Sequence, residues 1–118
     1  MSETVKGSVK ISSGGELGGP GEFDSALVLQ TIKTRIASIR ACYEKSLQTS
    51  PVVAGRVAVI FTIQPSGNVT DISIKENTSG SSALGACVVK TLGRFRFNPG
   101  PEGGSVSFLY PFEFAPAN

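Results

Sequence analysis

Apolar and polar residues alternate along the middle of the chain, and this alternation predicts a β-hairpin. The first apolar set faces one side of a strand and consists of Val57, Val59, Phe61 and Ile63. After a turn at Pro65–Asn68, in which Gly67 supplies a positive φ, Ile72 and Ile74 alternate with polar residues. A period of two residues is typical of strands, so we predict two antiparallel strands joined by this turn.

The longest alternation lies at the end of the chain. One face of this final strand is entirely apolar and consists of Val106, Phe108, Tyr110, Phe112 and Phe114. Pro111 interrupts the other face, and proline has no N–H to donate to a neighbouring strand. We therefore predict that the final strand ends the sheet, with one edge exposed along part of its length. Pro111 also limits how far another strand can pair with it.

Two other segments have the period of an amphipathic helix. The first predicts one long helix that begins after Asp24 or Ser25, reaches about Gln48 and ends before Pro51. Its apolar stripe consists of Leu29, Ile32, Ile36, Ile39, Tyr43 and Leu47. The second predicts a helix capped by Ser81 or Ser82, with Leu84, Cys87, Val88 and Leu92 on one face.

The first 21 residues are less regular. Val5, Val9 and Ile11 lie in phase, with Gly7 between them, so residues 5–11 form either a short extra strand or no regular structure. Ser12–Gly21 holds five glycines and a proline, which is typical of a linker. We predict a linker over residues 1–21, with an optional short strand, and a folded domain over residues 22–116.

Composition excludes several classes of function. The chain has 118 residues, of which 40% are hydrophobic, as expected of one globular domain. A net charge of +2 is too small for a nucleic-acid-binding surface, and no apolar run is long enough for direct insertion into a membrane. Because the chain has no His, it lacks the commonest general base and metal ligand. We predict no enzyme activity, no catalytic residue, no metal and no cofactor.

The two cysteines allow two interpretations. Cys42 and Cys87 each lie at or beside a core-facing position of a predicted helix, and their spacing fits neither a redox motif nor a zinc site. They are either two small buried hydrophobic residues or the two halves of one disulfide. A disulfide would indicate an oxidising compartment such as the periplasm.

The order of these motifs resembles a known family. Gly55–Ile74 reads G-R-V-x-V-x-F-T-I-x-P-S-G-N-V-x-D-I-x-I, and Arg94–Pro99 contains R-F-R-F-x-P before a glycine-rich turn and the final strand. Over about residues 22–115, this order is similar to the TonB C-terminal domain. Ile39–Leu47, Cys87–Val88 and Tyr110–Phe114 more narrowly resemble the C-terminal domain of the AgmX/PglI gliding-motility proteins.

The resemblance implies an α+β fold with two helices on one face of an antiparallel sheet of three strands, or four if residues 5–11 join it. It implies the same two cysteines in the two helices. It also implies a periplasmic domain at the C-terminal end of a protein anchored in the inner membrane. We expect the domain to be a monomer, although the sequence does not determine the oligomeric state. The implied role is to couple an inner-membrane machine to an outer-membrane or periplasmic partner, in gliding motility.

In TonB the last strand accepts an extended peptide, so the leading hypothesis is β-strand addition to the predicted edge. The predicted partner-binding residues are Ser105, Val106, Ser107, Phe108, Leu109 and Tyr110. One alternative is an edge that Pro111 and Glu113 protect from other strands. Others are TonB-type energy transduction to an outer-membrane transporter and an assembly domain of an envelope complex. The assembly domain would use a basic surface of Arg35, Arg40, Lys45, Arg94 and Arg96, unless these are only solvated charges.

Overall fold

The computed structural model describes residues 7–11 and 14–116 and has an α+β fold. The strands are β1 (Gly7–Ile11), β2 (Gly15–Gly18), β3 (Gly55–Ile63), β4 (Val69–Asn77) and β5 (Val106–Pro116). The helices are α1 (Ser25–Thr34), α2 (Ile36–Thr49) and α3 (Ser82–Leu92). The predicted class and antiparallel sheet are confirmed, although this part of the chain has five strands and three helices. None of these helices is long and apolar enough to cross a membrane.

The sheet is antiparallel, and β5 lies inside it. The strand order is β1-β5-β3-β4, and β2 also pairs with β5. β5 pairs with β3 from Gly55↔Phe114 to Ile63↔Val106 without a break in register. On its other edge β5 pairs with β1 and β2. The prediction that the final strand ends the sheet is therefore wrong.

The predicted hairpin of β3 and β4 is confirmed. Gly67 has φ 90° in the turn, and the apolar face of β3 is fully buried. Two irregularities in the β3–β4 register accompany the positive φ of Asp71. Among the described residues β4 pairs with β3 alone, so it forms one outer edge of this sheet. Its outward surface is charged and irregular, as in strand edges that resist further pairing.

The helices cover one face of the sheet. The core joins the apolar stripes of the three helices to the inward faces of β3 and β5. At its centre Phe61 and Phe108 stack with ring centroids 6.2 Å apart, and Tyr110 lies 6.1 Å from Phe61. Phe23, just before α1, meets Phe108 edge-on at 6.5 Å. The alternation in β3 and β5 thus identifies the core face correctly.

The single long helix predicted from Ser25 to about Gln48 is wrong, because it breaks at Arg35. The Thr34 side chain donates to the backbone oxygen of Gln30 at 2.8 Å, a bond that bends helices. The N–H of Arg35 then donates to Thr31 and Ile32 and ends α1. Ile32 and Ile39 are fully buried on either side of the break. The apolar stripe therefore continues across Arg35, and its period alone could not predict that one helix ends there and another begins.

Helix starts follow the predicted caps. Asp24 accepts from the N–H of Ala26 at 2.9 Å and begins α1. Ser81 accepts from the N–H of Leu84 at 3.0 Å and begins α3. Each cap satisfies a backbone donor that has no partner inside the helix.

The N-terminal segment is part of the sheet. Residues 7–11 form β1, as their alternation allowed, whereas Val5 lies outside the described residues. The linker prediction for residues 12–21 is wrong at Gly15–Gly18, which pairs with β5 as β2. Hydrogen bonds to β5 compensate for the entropy that a glycine-rich segment loses on ordering.

We predict that Phe108→Ala lowers the free energy of unfolding by about 3–5 kcal/mol, the usual cost of removing a buried aromatic side chain. Leu109→Ala is the matched control, because Leu109 is half-buried on the opposite face of β5. Urea unfolding of both variants measures the difference. Equal losses would contradict the assignment of the two faces.

Candidate protein-binding site

The predicted partner-binding residues lie on a strand whose side chains are mostly unavailable. Val106, Phe108 and Tyr110 are buried in the core, while Ser107 and Leu109 are half-buried on the opposite face. Ser105 precedes β5, and its backbone oxygen accepts from Gly21 at 3.1 Å. A partner on this strand would therefore contact mainly backbone, as in β-strand addition generally.

The chain itself occupies the edge of β5 that does not pair with β3. β1 pairs from Gly7↔Pro116 to Ile11↔Phe112, and β2 pairs with Ser107–Leu109. Farther along, Glu22 and Glu102 exchange backbone hydrogen bonds of 2.8 and 3.0 Å. We call β1 and β2 together the N-terminal strap. The prediction of a vacant docking edge at Ser105–Tyr110 is therefore wrong, because the strap occupies that edge.

Pro111 lies in the middle of β5 and is buried. Along the strand it is flanked by Leu109, which pairs with Gly15, and by Phe112, which pairs with Ile11. On the other side, Pro111 still pairs in register with Ala58 of β3. β5 therefore keeps its register with β3 through a residue that has no N–H to donate.

Two glycines let the strap approach the domain closely. A Cβ at Gly14 would overlap the carbonyl oxygen of Leu109 and lie 2.9 Å from the Cα of Tyr110. A Cβ at Gly7 would lie 2.7 Å from Cε2 of Tyr43, a fully buried ring. At Gly15, in contrast, a Cβ would have no atom within 4 Å. Gly7 and Gly14 are therefore required for this contact, which nothing in the sequence predicted except the irregular alternation around Gly7.

The strap buries less apolar surface than β3 does. Val9 and Ile11 are half-buried against the core, and the Gly7 N–H donates to Oε2 of Glu44 at 3.1 Å. β2 contains no buried residue, and Leu17 is 54% exposed. β3, in contrast, pairs with nine residues of β5 and buries its apolar face. Few buried apolar contacts indicate a region that opens at low free-energy cost.

The disulfide interpretation of the cysteines is confirmed. Cys42 of α2 and Cys87 of α3 are bonded, with their Cα atoms 5.8 Å apart, so the bond links two helices of the core layer. Sγ of Cys42 also lies 3.3 Å from the hydroxyl of Thr91. Cys42 is buried, whereas Cys87 is half-buried at the surface between the helices.

Tyr43 ties α2 to the sheet and to the loop before β3. Its hydroxyl donates to the Val53 backbone oxygen at 2.7 Å, and its ring lies 5.1 Å from that of Phe114. Burial raises the pKa of Tyr43 and of Tyr110 above the ordinary value, so both phenols are neutral at physiological pH. Their role in this structure is packing, and in Tyr43 also hydrogen bonding.

Comparison with known families agrees with this architecture. Residues 53–116, more than half of the 118-residue chain, match the family described as Gram-negative bacterial TonB protein C-terminal. The chain belongs to this family. TonB C-terminal domains are non-enzymatic periplasmic domains that mediate protein interactions. Searches of curated proteins and of solved structures give no significant match.

We predict that reducing the disulfide of this TonB C-terminal domain lowers its stability without abolishing the fold. A loop of 45 residues is closed by the bond. Its loss costs roughly 4 kcal/mol of unfolding free energy, or a fall of roughly 10 °C or more in melting temperature. Thermal unfolding with and without reductant measures the effect.

The double variant Cys42→Ser/Cys87→Ser is the control for this experiment. It should melt near the temperature of the reduced protein and should not respond to reductant. An unchanged melting temperature after verified reduction would contradict a stabilising role for the bond.

Proposed function

We propose that this domain binds an extended segment of an outer-membrane or periplasmic protein along β5, and that the segment replaces the N-terminal strap. The supporting observation is that the second edge of β5 already holds two antiparallel segments. An edge that accepts the chain's own backbone has the geometry to accept another one. The partner segment would still bind by strand addition, but it would take the place of the strap.

The register of the strap indicates where a partner strand would pair. β1 pairs with the five residues Phe112–Pro116 in continuous register, whereas β2 pairs with Ser107–Leu109 through an irregular register. A partner would therefore gain most by replacing β1 along Phe112–Pro116. Pro111 separates this stretch from the predicted site at Ser105–Tyr110, which a longer partner would also contact.

The role that we propose is mechanical coupling between an inner-membrane machine and an outer-membrane partner. Resemblance to the AgmX/PglI proteins favours gliding motility as the process, with TonB-type transduction to a transporter as the second candidate. Backbone pairing suits this role because several hydrogen bonds share the load. The domain would sit in the periplasm as part of a protein anchored in the inner membrane.

We predict that Gly7→Ala/Gly14→Ala exposes the β5 edge, because each new Cβ overlaps the domain. The probe is a fluorescent peptide with the sequence of residues 7–19. Apparent affinity rises with the population of the open state. We therefore expect the peptide to bind the double variant about tenfold more tightly, or more, than it binds the unmodified chain. Gly15→Ala is the matched control, because its Cβ meets no atom within 4 Å. Fluorescence anisotropy measures all three proteins.

Two results would contradict exchange at β5. One is equal binding of the peptide to the double variant and to the Gly15→Ala control. The other is binding that shifts amide signals of the helices and spares Phe112–Pro116. Circular dichroism and the melting temperature verify that the double variant retains the core.

We also predict that peptides from periplasmic segments of outer-membrane proteins of the same bacterium compete with the strap peptide for the double variant. Because both occupy one edge, bound partner peptide should shift the amides of Val9 and Ile11 in the unmodified chain towards disordered values. Nuclear magnetic resonance measures these shifts. A partner peptide that binds tightly and leaves both amides unchanged would contradict the proposed site.

A further inference from the structure

Charge is distributed unevenly between the helical layer and the sheet. Residues 25–50 and 81–96 contain seven of the 11 Lys and Arg residues but one of the nine Asp and Glu residues. The seven are Lys33, Arg35, Arg40, Lys45, Lys90, Arg94 and Arg96, and the acidic residue is Glu44. The small net charge of the chain therefore hides a basic surface on the helices.

Three of these cations line a groove between α2 and α3. One wall lies on α2 and consists of Ser38, Ala41, Cys42 and Lys45, which share one side of the helix. Cys87, Thr91, Arg94 and Phe95 form the other wall, and Arg35 lies at one end. The groove has a volume of about 460 Å³, and no acidic residue lines it. We call it the disulfide groove, because both cysteines contribute to it.

The cations of the groove have no acidic partner among the described residues. Both salt bridges found there belong to Arg56, on the sheet. Glu44 does not line the groove, and its carboxylate accepts from the N–H of Gly7. The groove therefore presents positive charge that no neighbouring side chain neutralises.

Helix dipoles account for only part of this arrangement. Arg94 follows the end of α3, where a positive charge is favourable in any protein, whereas Arg35 lies both at the C-terminal end of α1 and at the N-terminal end of α2, where the two dipoles have opposite effects on a cation. Lys45 lies before the last turn of α2, so the dipole does not explain its position. Lys45 lies on the groove wall opposite α3, where its charge is available to a ligand.

We propose that the disulfide groove binds an extended acidic segment of a partner protein. Carboxylates of the segment would pair with Arg35, Lys45 and Arg94, and its backbone would bond to the Ser38 hydroxyl. Charge complementarity of this kind raises association rates and selects the partner. The site is separate from β5 and does not depend on strand exchange there.

A concave shape favours a peptide over a membrane surface as the ligand. The large apolar side chains exposed on the described residues are Leu17, Leu27, Val52 and Ile74, and none of them lines the groove. Surfaces that lie on membranes combine basic residues with apolar side chains that enter the lipid. The disulfide groove instead combines its cations with small and polar side chains such as Ser38, Ala41 and Thr91.

The test uses a fluorescent peptide of alternating Glu and Ser and two variants of α2 with the same change of charge. Lys45→Glu alters the groove, whereas Arg40→Glu alters an exposed position outside it. We expect about tenfold weaker binding for Lys45→Glu and less than about twofold for Arg40→Glu, since a reversed charge repels only ligands close to it. A second pair repeats the comparison at the end of α3. Arg94→Glu alters the groove, whereas Lys90→Glu alters an exposed position outside it.

Several outcomes would overturn the proposal. Equal losses in Lys45→Glu and Arg40→Glu would show a diffuse electrostatic attraction, and absence of binding by the unmodified chain would remove the site. Binding to phosphatidylglycerol vesicles that exceeds peptide binding, and that both variants weaken equally, would assign the basic surface to membranes. Each changed residue is exposed, so melting temperatures should confirm that the variants fold.

Discussion

Hydrogen bonding along both edges of β5 is the constraint on which the rest of the structure depends. One edge pairs with nine residues of β3, and the other pairs with β1 and β2. Because β5 lies inside the sheet, its apolar face can place Phe108 and Phe112 at the centre of the core, where both are fully buried. The two edges differ in strength, however, and this difference makes exchange of the weaker pairing physically reasonable.

Local patterns in the sequence were sufficient to predict most of the helices and strands, but not which strands pair with each other. Alternation identified the buried faces of β3 and β5, and Ser81 identified the start of α3, because these features depend on adjacent residues. Pairing of Gly7 with Pro116 joins opposite ends of the chain, and no local signal specifies it. Pro111 suggested a vacant edge, since proline cannot donate to a ladder, whereas the structure places it inside the sheet, in register with Ala58 of β3.

Residues that meet only in three dimensions were predicted least well. The stripes of the helices placed Cys42 and Cys87 near the core, but only coordinates bring their Cα atoms to 5.8 Å. Arg35, Lys45 and Arg94 were predicted as members of a diffuse basic surface, and three separate segments bring them to one groove. The two surfaces that we propose for partners are therefore different in kind, a backbone edge that the strap covers and a groove lined by three cations.

Native-state hydrogen exchange measures the free energy that opens each strand separately, so it can show whether the strap opens without the rest of the sheet. If a partner can replace the strap, the amides of β1 and β2 exchange through a local opening, at denaturant concentrations that leave the amides of β3 protected. The same opening also raises exchange in Phe112–Pro116 on the edge facing β1. Exchange of β1 and β2 only together with β3, at the free energy of global unfolding, would contradict a replaceable strap.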